Sequence, residues 1–192
     1  MNYYQLDEYD RQDDDFCFLT SVPDQIPLLS AYITGGQPAA ADYPSDVQAR
    51  MSDDRGGIVL SDIIANKNLS LIVHQTLKSV IETHCAQTCE YLPLSIINHK
   101  GRLASNEYYY INPLGTHDCL DLNKSDIEWS DDGEVIHVNH FVLDKHKMND
   151  VPPLFRIDQD RRAYFINQKL VDGIRAAKPD VTNLNLEKIE VN

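Results

Sequence analysis

"LSLIVHQTLKSVIETH", residues 69–84, carries the pattern that decides the fold. Its extended apolar start, "SLIV", runs into Val73, Leu77, Val80, Ile81 and His84 at the spacing of one helix face, so a short strand feeds an amphipathic helix. The same pattern returns in "AYFINQKLVDGIRAA", residues 163–177. Sliding the chain by 93 positions lays "IVHQTLKSVIE" (72–82) over "FINQKLVDGIR" (165–175), with Gln75, Leu77 and Ile81 matched by Gln168, Leu170 and Ile174. Each helix is followed by a strand pattern, "YLPLSI" and "NLNLEKI". Internal duplication and shared local physics both account for the match, and either gives two similar strand-helix-strand units.

Outward from these units the chain reads as more strands. "NYYQL" opens as a short strand, and residues 23–46, rich in Pro, Gly and Ala, carry turn chemistry without periodicity, so a long surface connection is expected there. "GIVLSDII" reads as a strand or short helix. "EYLPLSII", the turn "NHKGR" and "NEYYYIN" make an antiparallel pair in which Tyr108 and Tyr110 point one way and Tyr109 the other. Further on, "CLDLNKSDIEW", which alternates in part, and "VIHVNHFVL" flank "SDDGE", whose Asp-Gly favours the positive φ of a hairpin turn. The expected fold class is α+β, with a mixed, mostly antiparallel sheet. The expected organisation is one domain over 1–192, with two interlocked subdomains, about 1–100 and 101–192, as the alternative division.

The charge is the unusual feature of the composition. Thirty acids against 17 bases leave −13, which repels nucleic acid phosphates and membrane surfaces and favours a basic partner. Residues 1–60 hold 11 acids and three bases, so the N-terminal third is the more acidic. No apolar run approaches the roughly 20 residues of a membrane helix, and the start lacks the regions of a signal peptide. A cytoplasmic protein with free thiols at Cys17, Cys85, Cys89 and Cys119 is expected.

Each constellation that suggests chemistry has a structural alternative. His117, Asp118 and Cys119 invite a nucleophile reading, but sequence neighbours rarely make that geometry, and Cys119 suits a buried position. Cys85 and Cys89 beside His84 lack the tight turn of a zinc knuckle. His137 and His140, with His146, lie on a strand pattern that points positions three apart to opposite faces. The tyrosine run lacks the basic setting of a base-stacking platform, and "TGGQP" and "DRGG" lack a phosphate-loop frame. Neither catalytic residues, a cofactor nor a metal is implied. What remains is acidic surface: Asp126, Glu128, Asp131, Asp132 and Glu134 fall within nine residues that contain no base, and Trp129 lies among them as an aromatic anchor. Asp13, Asp14 and Asp15 are the next candidates for a partner-binding face.

The order of motifs carries a resemblance across nearly the whole chain. "NYYQL", "GIVLSDIIANKNLSLIVHQTLKSVIE", "EYLPLSIINHKG", "EYYYINPLGTHDCLDLNKSDIE", "VIHVNHFVLD", "LFRI" and "AYFINQKLVDGIRAA…VTNLNLEKIE" resemble, in that order, the immunity-protein-eleven family of bacterial polymorphic toxin systems. Residues 10–57 carry much less of it. The resemblance implies a small non-catalytic protein, encoded beside a toxin, that protects its producer by binding that toxin. Many such toxins are nucleases with basic clefts, which an acidic inhibitor would complement. The competing expectations are a hydrolase using Cys119 with His117 and a regulatory or scaffold domain.

Overall fold

The computed structural model describes residues 1–7, 14–20 and 22–192. In chain order its strands are β1 (Tyr3–Asp7), β2 (Phe18–Leu19), β3 (Gln48–Arg50), β4 (Ala65–Asn66), β5 (Ile72–His74), β6 (Cys89–Ile97), β7 (Leu103–Pro113), β8 (Asp126–Trp129), β9 (Val135–His140), β10 (Val142–Leu143), β11 (Leu154–Phe155), β12 (Tyr164–Asn167) and β13 (Asn185–Val191). The helices are α1 (Leu29–Thr34), α2 (Gln75–Cys85) and α3 (Gln168–Ala176). The fold is α+β with mixed, mostly antiparallel sheets, as the sequence suggests.

Two sheets carry the molecule. One has the order β3-β6-β7-β5, the other β10-β13-β1-β12-β11. In the first, β5 and β6 are both antiparallel to β7, and β3 is parallel to β6. In the second, β12 and β13 are both antiparallel to β1, and β10 is parallel to β13. The four-strand pattern is therefore the same, and the equivalent strands follow the 93-residue offset: Ile72–His74 maps onto 165–167 in β12, Gln48–Arg50 onto 141–143 around β10. Only the central strand differs in origin. β7 follows β6 through the turn at 98–102, whereas β1 comes from the other end of the chain and fills the matching place beside β13.

The alternation of side chains explains how both sheets are buried on both faces. Val73, Ile111, Leu6, Tyr164 and Ile166 face a central core, where they meet Leu77, Ile81 and Cys85 of α2 and Leu170, Val171 and Ile174 of α3. The alternate residues face outward into two further cores. Ile72, Leu92, Leu94, Tyr108 and Tyr110 pack with Ile26, Ile33, Ala39 and Val47 on one side. Tyr3, Phe155, Phe165 and Ile189 pack with Cys119, Leu120, Val138 and Phe141 on the other. The tyrosine run divides as its period-2 pattern requires, with Tyr109 turned to the central core.

The two helices start from matching caps. The His74 Nδ1 accepts from Thr76 N–H at 3.3 Å, and Asn167 Oδ1 from Leu170 N–H at 3.0 Å. Inside α3, Gly173 carries a cost of about 1 kcal/mol against alanine and lies against α2. A Cβ there would lie 2.8 Å from His84 Nε2 and 3.4 Å from Val80 Cγ1 of α2. His84, expected on the buried face of α2, is exposed beside this contact.

Residues 23–46 depart from the expected surface connection. They hold α1 and bury Ile26, Ile33 and Ala39 against the four-stranded sheet, so tertiary contacts order a stretch without periodicity of its own. "VIHVNHFVL" divides at Phe141 into β9 and β10, which belong to different sheets. "GIVLSDII" is neither a helix nor one strand; it makes single bridges at Val59 and Ile63 and leads into β4.

Candidate functional site

Among the described residues, β8 and β9 pair only with each other, and they form a ribbon over the outer core of the five-stranded sheet. Val138 is buried there, and Ile127 and Val135 pack against it. The foot of the ribbon is fixed by "DLNKS". Asp121 N–H donates to Val142 O at 2.8 Å, Asp121 Oδ1 accepts from Asn123 N–H at 3.0 Å, and Ser125 Oγ accepts from Val142 N–H at 3.0 Å. The tip closes through Gly133 N–H to Ser130 O at 3.0 Å and Ser130 N–H to Glu134 O at 2.8 Å. Gly133 adopts φ +79°, the conformation expected of the Asp-Gly pair.

This ribbon brings together the five acids of the cluster and Trp129. Asp126, Glu128, Asp131, Asp132 and Glu134 are exposed, and among the described residues none of their carboxylates has an ion-pair partner. The cross-strand neighbours of Asp126 and Glu128 are His140 and His137. Trp129, the one tryptophan in the chain, sits opposite Val135 with 46% of its surface exposed, and Ile136 is 60% exposed. Trp129 therefore stands exposed among carboxylates that have no ion pair among the described residues, and an exposed tryptophan is a favoured anchor of protein interfaces.

The second acidic candidate lies elsewhere. Asp14 and Asp15 are exposed ahead of Cys17 and Leu19, which pack in the outer core of the four-stranded sheet, so the fold does not join them to the ribbon. Asp13 lies outside the described residues.

The thiol candidates read as core. Cys119 is fully buried, and burial pushes its thiol up to about 12, far from the thiolate a nucleophile needs. His117 stacks edge-on against Phe155 at 6.0 Å, and burial pulls its pKa down. Asp118 points instead to Lys147 Nζ at 2.9 Å, which lowers its pKa. Cys85 and Cys89 are buried, and the interaction of the two thiols lowers the pKa of Cys85 and raises that of Cys89. Among the described residues no three His, Cys, Asp or Glu side chains are placed to hold a metal ion.

One residue that charge reading passed over is Arg156, in the "FRI" motif. Its guanidinium is fully buried without a carboxylate: Nη2 donates to Ile33 O at 2.8 Å and Tyr164 Oη at 2.9 Å, and Nη1 to Thr34 O at 2.8 Å and Arg161 O. Ile33 and Thr34 end α1, so the cation donates to carbonyls of a helix C-terminus, of which Ile33 O also accepts from Gly36 N–H at 3.4 Å. Tyr164 lies under the guanidinium at 4.3 Å, and its hydroxyl also accepts from Leu71 N–H at 3.0 Å. This staple ties the second strand-helix-strand unit to the first and holds the 158–162 loop beside the ribbon.

No helix among the described residues is long and apolar enough to cross a membrane. A family model described as "Immunity protein family (Imm11)" matches residues 3–191. No curated protein matches the chain.

Proposed function

Because the chain belongs to the Imm11 immunity protein family, we propose that it neutralises a cognate bacterial toxin by forming a one-to-one complex with it, without catalysis. The family accounts for the toxin-immunity role. The β8–β9 ribbon is the docking face in this reading, with Asp126, Glu128, Asp131, Asp132 and Glu134 meeting a basic surface of the toxin and Trp129 as the apolar anchor. The observation that supports it is that, among the described residues, none of the five carboxylates beside the exposed tryptophan has an ion-pair partner, in a chain of charge −13. A nuclease is the toxin class that fits best, because its substrate cleft presents the complementary charge. Asp14 and Asp15 form a separate acidic patch that supplies long-range attraction.

Co-expression with the protein encoded next to this chain tests the proposal. The expected result is relief of growth arrest and co-purification in equal amounts. A toxic neighbour that is neither relieved nor bound would refute it. A C-terminal toxin domain in that neighbour separates this reading from a regulatory or scaffold role.

A further inference from the structure

The ribbon has a second surface that the acidic face does not use. A two-stranded sheet leaves both outer edges without partners, and an open edge is a template for another strand. Among the described residues, no backbone hydrogen bond of Val135–His140 goes to anything but β8. Next to β9 lies a groove of 460 Å³, lined by Leu69, Ile136, His137 and Val138 on one side and by residues 158–162 on the other. Ile136 is largely exposed in it, and Val138 forms an apolar floor continuous with the core.

The far wall carries both signs, Asp158 and Asp160 together with Arg161 and Arg162. Arg161 and Arg162 are exposed there, and among the described residues neither has an ion-pair partner. Their backbone is held in advance. Arg161 O accepts from the buried Arg156, and Asp160 Oδ1 accepts from Arg162 N–H at 3.0 Å. Gln159 Oε1 is buried in the same loop and accepts no hydrogen bond. Asp160 is engaged by its own loop, so an apolar floor, an open strand edge and two arginines without ion pairs fit one class of occupant: an extended protein segment that alternates apolar and acidic side chains.

We infer that the groove between β9 and the Asp158–Arg162 loop takes such a segment of the partner as a third strand on β9, its carboxylate held by Arg161 and Arg162. The inference rests on the toxin-binding reading and adds an epitope of opposite charge: the ribbon tip meets a basic surface while its flank receives an acidic strand. The alternating sign also fixes orientation, since a partner turned end for end places like charges together.

The test measures the affinity of the toxin domain encoded beside this chain for the intact protein, for Arg161→Glu/Arg162→Glu and for Arg161→Lys/Arg162→Lys, with amide exchange of residues 135–138 in the free and bound states. Both positions are exposed, and unchanged melting curves check the fold. The expected result is at least about a tenfold loss of affinity with Glu, little loss with Lys, and slowed exchange at 135–138 on binding. Wild-type binding that the Glu variant keeps within twofold, with 135–138 exchanging as in the free protein, overturns the groove and leaves the toxin-binding reading standing. Failure of the wild type to bind defeats the broader reading and this one with it. Slowed exchange at 135–138 in the protein alone, rising with its concentration, assigns the edge to a second copy and also overturns the inference.

Discussion

Arg156→Met removes the staple while keeping much of its volume, and the cost can be worked from its four hydrogen bonds. Ile33 O, Thr34 O, Arg161 O and Tyr164 Oη each lose a charge-assisted donor. A hydrogen bond to a charged group contributes about 1.5–3 kcal/mol net. The sum is reduced because the variant no longer buries a cation, which itself costs several kcal/mol. It is not cancelled, because the backbone carbonyls stay in place and each loses one donor. We therefore expect a loss of about 3–5 kcal/mol, the range for removing one partner of a buried charged pair. In a domain of this size that lowers Tm by about 6–20 °C. Urea unfolding followed by circular dichroism measures it. Tyr164→Phe, which removes the hydroxyl shared by Arg156 and Leu71, costs less, and the double variant loses less than the sum of the two. A loss below about 1 kcal/mol for Arg156→Met, or strict additivity with Tyr164→Phe, would refute the staple.

Three further outcomes follow from the same structure. Asp131→Lys/Asp132→Lys/Glu134→Lys slows association with the toxin by about tenfold or more at low salt and flattens its salt dependence; stopped-flow rates unchanged across salt would remove the ribbon tip from the encounter. Cys119→Ala retains protection against the toxin in a growth assay, with a modest loss of stability, because the thiol is buried in its neutral form; loss of protection with the fold and binding intact would favour the hydrolase reading. A circular permutant that joins Asn192 to Met1 and opens the chain at Gly115–Thr116 should fold and melt in a single transition. The joined loop from Glu190 to Asn2 has five residues between the paired Ile189 and Tyr3, as residues 98–102 have between Ile97 and Leu103. Two separate transitions, or no folded product, would argue against equivalent units in one cooperative domain.

Much of the fold is legible because its signals are local. The 3.6-residue period of α2 and α3, the extended pairs ahead of them and the Asp-Gly of the ribbon turn each depend on a few neighbouring residues. The repeat at 93 positions points to two equivalent units, and the sheet order bears that equivalence out. What stays hidden depends on contacts far apart in sequence. β1 takes the central place beside β13 across almost the whole length of the sequence, a pairing that no window of residues near Tyr3 contains. α1 has six residues, too few for a periodic signal, and is ordered by the sheet it covers. Arg156 reads as one more surface base until Ile33, Thr34 and Tyr164 surround it. The acidic ribbon was visible as a run of like charge. The groove on its flank was not, because its walls come from β9 and from a loop some 20 residues later.

The central claim is that the β8–β9 ribbon is the surface on which the toxin docks. Hydrogen exchange of the complex, read at Glu128–Glu134, tests it most directly, with acrylamide quenching of Trp129 against a toxin free of tryptophan as the optical counterpart. The account predicts slowed amide exchange across the ribbon tip and shielding of the indole, which is 46% exposed in the free protein. Protection confined to other elements, with the ribbon exchanging and Trp129 quenching as in the free protein, would contradict it.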